Sequence, residues 1–370
     1  MSSLRVFVLL PRALDAARWQ ERFARGEAPD VTPYGYHFAE EAGALVSFSR
    51  PTVTSGGLLG VADKVVKRLL GFDIRHAWNN RRALLGADYD VIWTHTEYEH
   101  LGIAALRALL RKDGPPVIAQ SVWLIDVWPR LSDLKKSLYR YLLGRSAVAT
   151  FHSPDNKAVA DELGFQLPCE VVLFGISLDS FPLRAPNLKF DASRPVRVLA
   201  LGNDRHRDWS TLFEAIGGRP DFELRVGSSV WPRRFSADNV HVGAMTQDEV
   251  RAAYAWADCA VVPLKENLHA SGITAILEAV ALGVPVVATL TGGLLAYFAA
   301  DAVTYVDPGD AQSLRDAIKA SAKDPSGALG RAVCAQRQMA DRDLTTRGFA
   351  MRHVRLSERL RANSGGNCGN

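Results

Sequence analysis

Glu278 stands seven residues after Ser271 in the run Ser271-Gly272-Ile273-Thr274-Ala275-Ile276-Leu277-Glu278-Ala279. If the run is a helix, Ser271 and Gly272 mark its start. Small residues there leave backbone N–H groups open to an anion such as a diphosphate. A carboxylate two turns along can accept hydrogen bonds from two neighbouring ribose hydroxyls. The flanking sequence supplies elements to hold that pair. Asp258 to Pro263 reads as a strand, Leu264 to Ala270 as a polar loop, and Gly283 to Thr289 as a second strand, followed by Thr291-Gly292-Gly293. Ile273, Ile276, Leu277, Val280 and Ala281 recur at helical spacing, and Glu278 lies off that stripe. Gly283 ends the helix, and Pro285 opens the next strand, where its missing N–H does no harm.

The remaining chain alternates strands and helices, which predicts parallel sheets with ligand sites at the strand carboxyl ends. In the first half, Leu4 to Leu10, Ala44 to Phe48, Asp88 to Trp93, Pro116 to Gln120, Ala147 to Phe151 and Val171 to Phe174 read as strands. Tyr34 to Phe38 reads as a strand or a loop. Gly56 to Leu85 reads as mostly helical and basic. Pro182, Pro186 and Pro195 mark a linker, after which the alternation resumes at Val196. Leu329 to Leu360 is expected to be helical. The expected division is an N-terminal domain 1–180, a linker 181–194, a second domain 195–340, a C-terminal helix 341–363 that packs back on the first domain, and a disordered tail 364–370.

At 370 residues the chain is long for one core, and 48% hydrophobic with 23% charged residues is a globular composition. A net charge of +4 does not by itself imply nucleic acid, and none is expected as a partner. Cys169, Cys259, Cys334 and Cys368 show neither metal-type pairing nor a disulfide framework, so a reducing cytosol is expected. The uncharged run Ala279 to Ala300 is long enough to span a bilayer. Gly283, Pro285, Gly292 and Gly293 interrupt it, which favours a buried helix-turn-strand.

The second half resembles the donor domain of GT-B glycosyltransferases. The likeness is carried by Gly202 with basic residues beyond it, the Gly243 turn, Leu277-Glu278-Ala279 through Gly283-Val284-Pro285-Val286-Val287, and Thr291-Gly292-Gly293. Phe174-Gly175 followed by Asp179 and Phe181 resembles the segment that ends the acceptor domain. The fold this implies is α/β GT-B, two Rossmann-like domains facing across a cleft. The nearest pattern is the retaining family marked by two glutamates with seven residues between them. Here the first of those positions is Ala270, and the histidine that family places after the strand ending at Ala119-Gln120-Ser121 is absent. A second resemblance is to the membrane-associated glucuronosyltransferase of xanthan synthesis, an inverting enzyme. It places an aspartate after the corresponding strand, as Asp126 does, and a turn near the base like Gly243-Ala244-Met245.

The resemblance implies a metal-independent hexosyl- or glucuronosyltransferase using a nucleotide diphosphate donor, UDP-linked by expectation. Gly202, Arg205, Arg207, Ala244, Met245, Ser271, Gly272, Ile273, Thr274 and Glu278 are its expected donor contacts. The two arginines would face the diphosphate and stabilise the leaving nucleotide. They read alternatively as surface charges. Asp126 is the candidate base or a cap for the turn before Trp128-Pro129. His95 and Glu97 face the cleft, or His95 is a satisfied structural histidine. The acceptor implied is an oligosaccharide or a lipid-linked one, in bacterial polysaccharide or glycoconjugate synthesis. A GT-B epimerase and a non-catalytic nucleotide-sugar-binding subunit are the other two classes. Gly57 to Leu85 and Leu134 to Arg145 mix cations with large apolar residues. Lys64, Lys67 and Arg68 are expected to meet an anionic membrane, which places a cytoplasmic protein peripherally on the inner face of the cell membrane.

Overall fold

The computed structural model describes residues 3–53, 56–186, 191 and 193–366, without the side chains of 58, 59 and 364–366. It divides the chain into two compact units. Unit 1 comprises Met1–Ala24, Val31–Leu173 and Thr346–Asn370, and unit 2 comprises Arg25–Asp30 and Phe174–Thr345.

The sheet of unit 1 consists of β1 (Arg5–Leu9), β2 (Leu45–Phe48), β3 (Val91–Thr94), β4 (Val117–Ser121), β5 (Val148–Phe151) and β6 (Cys169–Val171). Its order is β2-β1-β3-β4-β5-β6, with every pairing parallel. Central strands such as Val91-Ile92-Trp93-Thr94 are buried at every position. That is why they read as continuous apolar runs, since helices cover both faces of such a sheet. One side of the core packs Phe7, Leu9, Ile92 and Val117 against Ile103, Leu106 and Leu84. The last helix, Thr346–Gly366, belongs to this unit, and the Trp93 indole N–H donates to Ser357 Oγ at 2.8 Å.

Unit 2 carries β7 (Val196–Leu201), β8 (Phe222–Gly227), β9 (Val240–Gly243), β10 (Cys259–Val262), β11 (Val286–Thr289) and β12 (Thr304–Val306). Its order, β12-β11-β10-β7-β8-β9, is that of a dinucleotide-binding sheet. The strand order reverses between β7 and β10, and the crevice at their carboxyl ends is where such sheets bind ligands. Val198, Phe222, Leu224, Val261 and Val287 form the core with Trp209, Leu212, Leu314 and Ile318.

Several expectations need correction. The unit boundary falls at Leu173/Phe174, and the described part of 181–194 lies inside unit 2. Gly56 to Leu85 is three helices, Gly57–Leu70, Ile74–Asn79 and Arg81–Leu85. The first stops at Gly71, whose left-handed φ of 82° caps it. Tyr34 to Phe38 lies in a 3₁₀ segment, Pro33–Ala42, kinked by φ values of 60° at Tyr34 and 69° at Gly35. Leu329 to Leu360 is two helices, broken between Asp341 and Thr346. Of the expected tail, 364–366 continue the last helix and 367–370 lie outside the described residues, as does Cys368. The run Ala279 to Ala300 is, as expected, a helix end, then strand β11 and a turn. Among the described residues no helix is long and apolar enough to cross a membrane.

Candidate nucleotide-sugar site

A cavity of about 300 Å³ opens at the β7/β10 switch point of unit 2. It is lined by Gly202 and Asn203 after β7, Ala244 and Met245 after β9, and Thr274 and Glu278 on the helix Ile273–Ala281. Arg207 forms its floor. This arginine is 6% exposed, and its Nε–H donates to Leu201 O at 3.0 Å. The guanidinium lies between two glycines. A Cβ on Gly202 would stand 2.2 Å from Nε, and one on Gly272 would stand 2.5 Å from Nη1. Both glycines have positive φ, 143° and 79°. Gly is therefore needed at both positions for conformation and for space.

Arg207 Nη1 and Ser271 Oγ are buried donors with no hydrogen-bond partner. An unmet buried guanidinium N–H is costly, and an anion is the kind of partner that would meet it. The helix Ile273–Ala281 begins beside them with no side chain capping its first turn. Its amide dipoles add to the same attraction. Burial lowers the pKa of Arg207, while Asp204, Tyr254 and Glu278 act to keep it charged.

Glu278 also lines the cavity. The Tyr254 hydroxyl lies 3.0 Å from both Glu278 Oε2 and Ala275 O. That hydroxyl carries one proton and faces two acceptors, so a protonated Glu278 satisfies the group better than a carboxylate does. Burial pushes the Glu278 carboxyl up to about 7 despite Tyr254 and Arg207. A ligand offering two hydroxyls would supply the donors that a carboxylate lacks here.

The other expected contacts divide, and Ser271 and Gly272 precede the helix without lining the cavity themselves. Ile273 is 6% exposed and packs into the core. Arg205 is exposed and lies outside the cavity lining, unlike Arg207 two residues on. Residues not anticipated also shape the cavity. Asn203 Oδ1 accepts from Ser229 N at 2.7 Å and so ties the β7 loop to the β8 loop. Tyr254, which orients Glu278, lies 24 positions away in sequence with no local signal of the pairing. Asp204, His206 and His269 converge close to Arg207. His206 Nδ1 is 3.1 Å from Asp204 Oδ1, and His269 Nε2 is 3.3 Å from Oδ2.

In unit 1, His95 and Glu97 follow β3, and Asp126 follows β4 on the short helix Leu124–Val127. His95 is buried and stacks on Tyr34 at 3.4 Å between ring centroids. The Gln120 side-chain NH₂ donates to His95 O at 3.0 Å, which fixes the amide orientation. The same nitrogen lies 3.3 Å from His95 Nδ1, as does the Tyr36 hydroxyl. Nδ1 is thus the acceptor and Nε2 carries the proton. Burial holds the ring's pKa well below the usual range, so it stays neutral. As a neutral Nε2–H donor, His95 positions a partner and does not take a proton there. The Glu97 carboxylate accepts from Val122 N at 3.1 Å and Trp123 N at 3.3 Å, bracing the loop before Asp126. Asp126 is half-buried.

Residues 204–324 match the sequence profile of a family described as glycosyl transferases group 1. No curated protein matches the chain by sequence. Among solved structures, the sucrose-phosphate synthase of Thermosynechococcus elongatus is similar at a TM-score of 0.72 and 18% identity, over 97% of this chain and 100% of that one. HepE from Anabaena, in complex with UDP and glucose, is similar at 0.65 and 14%, over 95% and 98%. A UDP-forming α,α-trehalose-phosphate synthase from Burkholderia vietnamiensis is similar at 0.66 and 12%, over 97% and 99%.

Proposed function

We propose that this protein, a glycosyltransferase of GT-B fold by its architecture and by the family match within unit 2, moves a sugar from a UDP-linked donor to a hydroxyl of a sugar acceptor. The observation that carries the reading is the cavity lined by both Arg207, whose Nη1 meets no partner among the described residues, and Glu278, with Thr274 and Ala275 from the same uncapped helix. That arrangement suits a diphosphate and a ribose diol. The complex of HepE with UDP supports the choice of nucleotide. Arg207 would stabilise the charge of the departing diphosphate, so the transfer step itself needs no metal. Unit 1 would hold the acceptor, a lipid-linked saccharide or an oligosaccharide, with Asp126 as base and the His95 Nε2–H as a positioning donor. Glu97 is already engaged with two backbone amides and serves the loop that carries Asp126.

The test is a panel of UDP-sugars with candidate acceptors, with the anomeric configuration of the product assigned by NMR. Inversion would call for a base such as Asp126, and retention would let the leaving diphosphate take the acceptor proton. Donor cleavage with no acceptor would point to an epimerase, and binding without turnover to a non-catalytic subunit. In the inverting enzyme Asp126→Asn keeps shape and removes basicity, so transfer should fall at least about a hundredfold while UDP affinity holds. A near-normal rate would remove Asp126 from the mechanism.

A second reading concerns location, and the helix Gly57–Leu70 favours it. Its inward residues include two charged ones, Asp63 and Lys67, beside Gly60 and Leu70. Asp63 pairs with Arg12 at 2.5 Å and Arg75 at 3.4 Å, and Lys67 pairs with Asp73 at 3.3 Å. Its outward residues are apolar, with Val61 60%, Val65 49% and Leu69 65% exposed. Lys64 and Arg68 are exposed along the edge of that stripe, whereas Lys67, expected among the outward cations, turns inward. A helix with ion pairs beneath and valines in water is suited to an anionic bilayer, with the two cations at the headgroups. Leu134 and Tyr141 on the helix Asp133–Leu143 are likewise exposed. We propose that this face meets an anionic membrane surface. Co-sedimentation with vesicles containing anionic lipid is expected at low salt and should fade at high salt. It should drop in Lys64→Glu/Arg68→Glu and, independently, in Val65→Asp/Leu69→Asp. Protein that stays in the supernatant at low salt would indicate a soluble acceptor.

A further inference from the structure

Two loops of unit 2 meet at one carboxylate. Asp204 and His206 lie in the loop after β7, and His269 lies in the loop that leads into the helix Ile273–Ala281. His206 N donates to Asp204 Oδ1 at 2.8 Å and fixes that side chain. Lys265 N donates to His206 O at 2.8 Å and joins the loops through the backbone. The two imidazoles then approach different oxygens of the same carboxylate, at 3.1 and 3.3 Å. Their ring centroids are 4.8 Å apart. One ligand atom from each of the three residues lies within 4.8 Å of the other two. His269 is 5% exposed at its side chain, His206 16% and Asp204 25%.

We propose that Asp204, His206 and His269 form a binding site for a divalent transition-metal ion of the zinc class. Metal–nitrogen and metal–oxygen bonds of about 2.1 Å place ligands about 3.4 Å apart in a tetrahedron. Each imidazole nitrogen is already near that edge from one oxygen of the carboxylate, 3.1 Å from Oδ1 and 3.3 Å from Oδ2, and the three ligand atoms, now within 4.8 Å of one another, would close on the ion. Two imidazoles and one carboxylate suit zinc, cobalt or nickel and do not suit magnesium, which takes an all-oxygen shell. The ion would replace the imidazole protons that face Asp204 and leave a fourth position for water. Arg207 follows His206 directly and Ser271 lies two residues beyond His269, so the ion would pin the two loops that present the anion-facing groups. Its role is a clip, so it is compatible with a transfer step in which Arg207 supplies the charge.

Tag-free, chelator-treated full chain is titrated with Co²⁺, following visible d–d absorption, and then with Zn²⁺ in competition. One equivalent of Co²⁺ with tetrahedral-type absorption, displaced by Zn²⁺, is expected, and Mg²⁺ should not displace it. Bound Zn²⁺ should raise the melting temperature. His206→Ala and His269→Ala should each weaken binding about a hundredfold or more. Asp204→Asn retains the side-chain shape and should weaken it too, which guards against a variant that misfolds. Arg205→Ala, between two of the ligands in sequence, should leave it unchanged. Absence of Co²⁺ and Zn²⁺ uptake at micromolar concentration, or uptake that survives in both histidine variants, would reduce the cluster to a hydrogen-bonded Asp-His network. UDP affinity is measured on the same samples, so a failed metal site and a failed donor site are told apart.

Discussion

Arg207→Ala is expected to lower kcat/KM for the sugar donor by about 10²–10³-fold, the cost typical of removing one preorganised group that meets developing charge. The variant should weaken UDP by about 1.5–3 kcal/mol, as for the loss of a hydrogen bond to a charged group. Uridine, which has no phosphate, should bind as before. That contrast is the informative readout, taken by calorimetry on variants whose circular dichroism is unchanged. Arg207→Lys should not restore the function. The guanidinium is fixed by its Nε–H bond to Leu201 O, and its planar shape fills the slot between Gly202 and Gly272. Arg205→Ala, on an exposed neighbour, should change little. If uridine and UDP weaken in parallel, Arg207 supports the fold of the cavity and not the diphosphate.

Glu278→Ala is expected to cost UDP about 1.5–3 kcal/mol, roughly 10- to 150-fold in affinity, because two ribose hydroxyls lose a charged acceptor. Glu278 also predicts a pH dependence. Its carboxyl stands at about 7 in the free protein, against an ordinary value of 4.5. Ribose hydroxyls favour the carboxylate, so binding should release a proton at pH 6 and strengthen as pH rises to about 7, then level off. For stability the sign is opposite. The unfolded chain loses this proton near 4.5 and the folded one near 7, so stability from this group is present below pH 4.5 and is lost as pH rises through 7. Glu278→Gln should therefore melt higher than the wild type at pH 8 while binding UDP less tightly. Calorimetry in buffers of different ionisation enthalpy reports the proton release. A UDP affinity independent of both pH and Glu278 would sink the ribose assignment.

How much of this the sequence specifies differs by element. The fully buried strands of both sheets are legible because helices on both faces demand unbroken apolar runs, as in Cys259–Val262 and Val286–Thr289. The helix Ile273–Ala281 is legible from its apolar spacing. The small residues at its start and the glutamate off its stripe point to a ligand before any fold is known. Short, weakly periodic stretches read less well. Tyr34 to Phe38 has the composition of a strand, yet Tyr34 and Gly35 take left-handed backbone, which no alternation rule reports.

The sequence by itself determined two alternating sets of strands and helices and one helix with small residues at its start and a carboxylate two turns along. Those properties are carried by residues within a few turns of one another. Tertiary structure alone decided which arginine enters the site. Arg205 and Arg207 have the same charge in the same loop, and only the space left by Gly202 and Gly272 selects Arg207. It alone placed Tyr254 on Glu278, fixed the proton of His95 through Tyr36 and Gln120, and brought His269 to Asp204 across 65 positions. It also turned the Gly57–Leu70 helix so that its ion pairs face inward and its valines outward. Most of the deciding partners are remote in sequence, as Tyr254 is from Glu278 and His269 from Asp204, and those interactions exist only once the chain has folded.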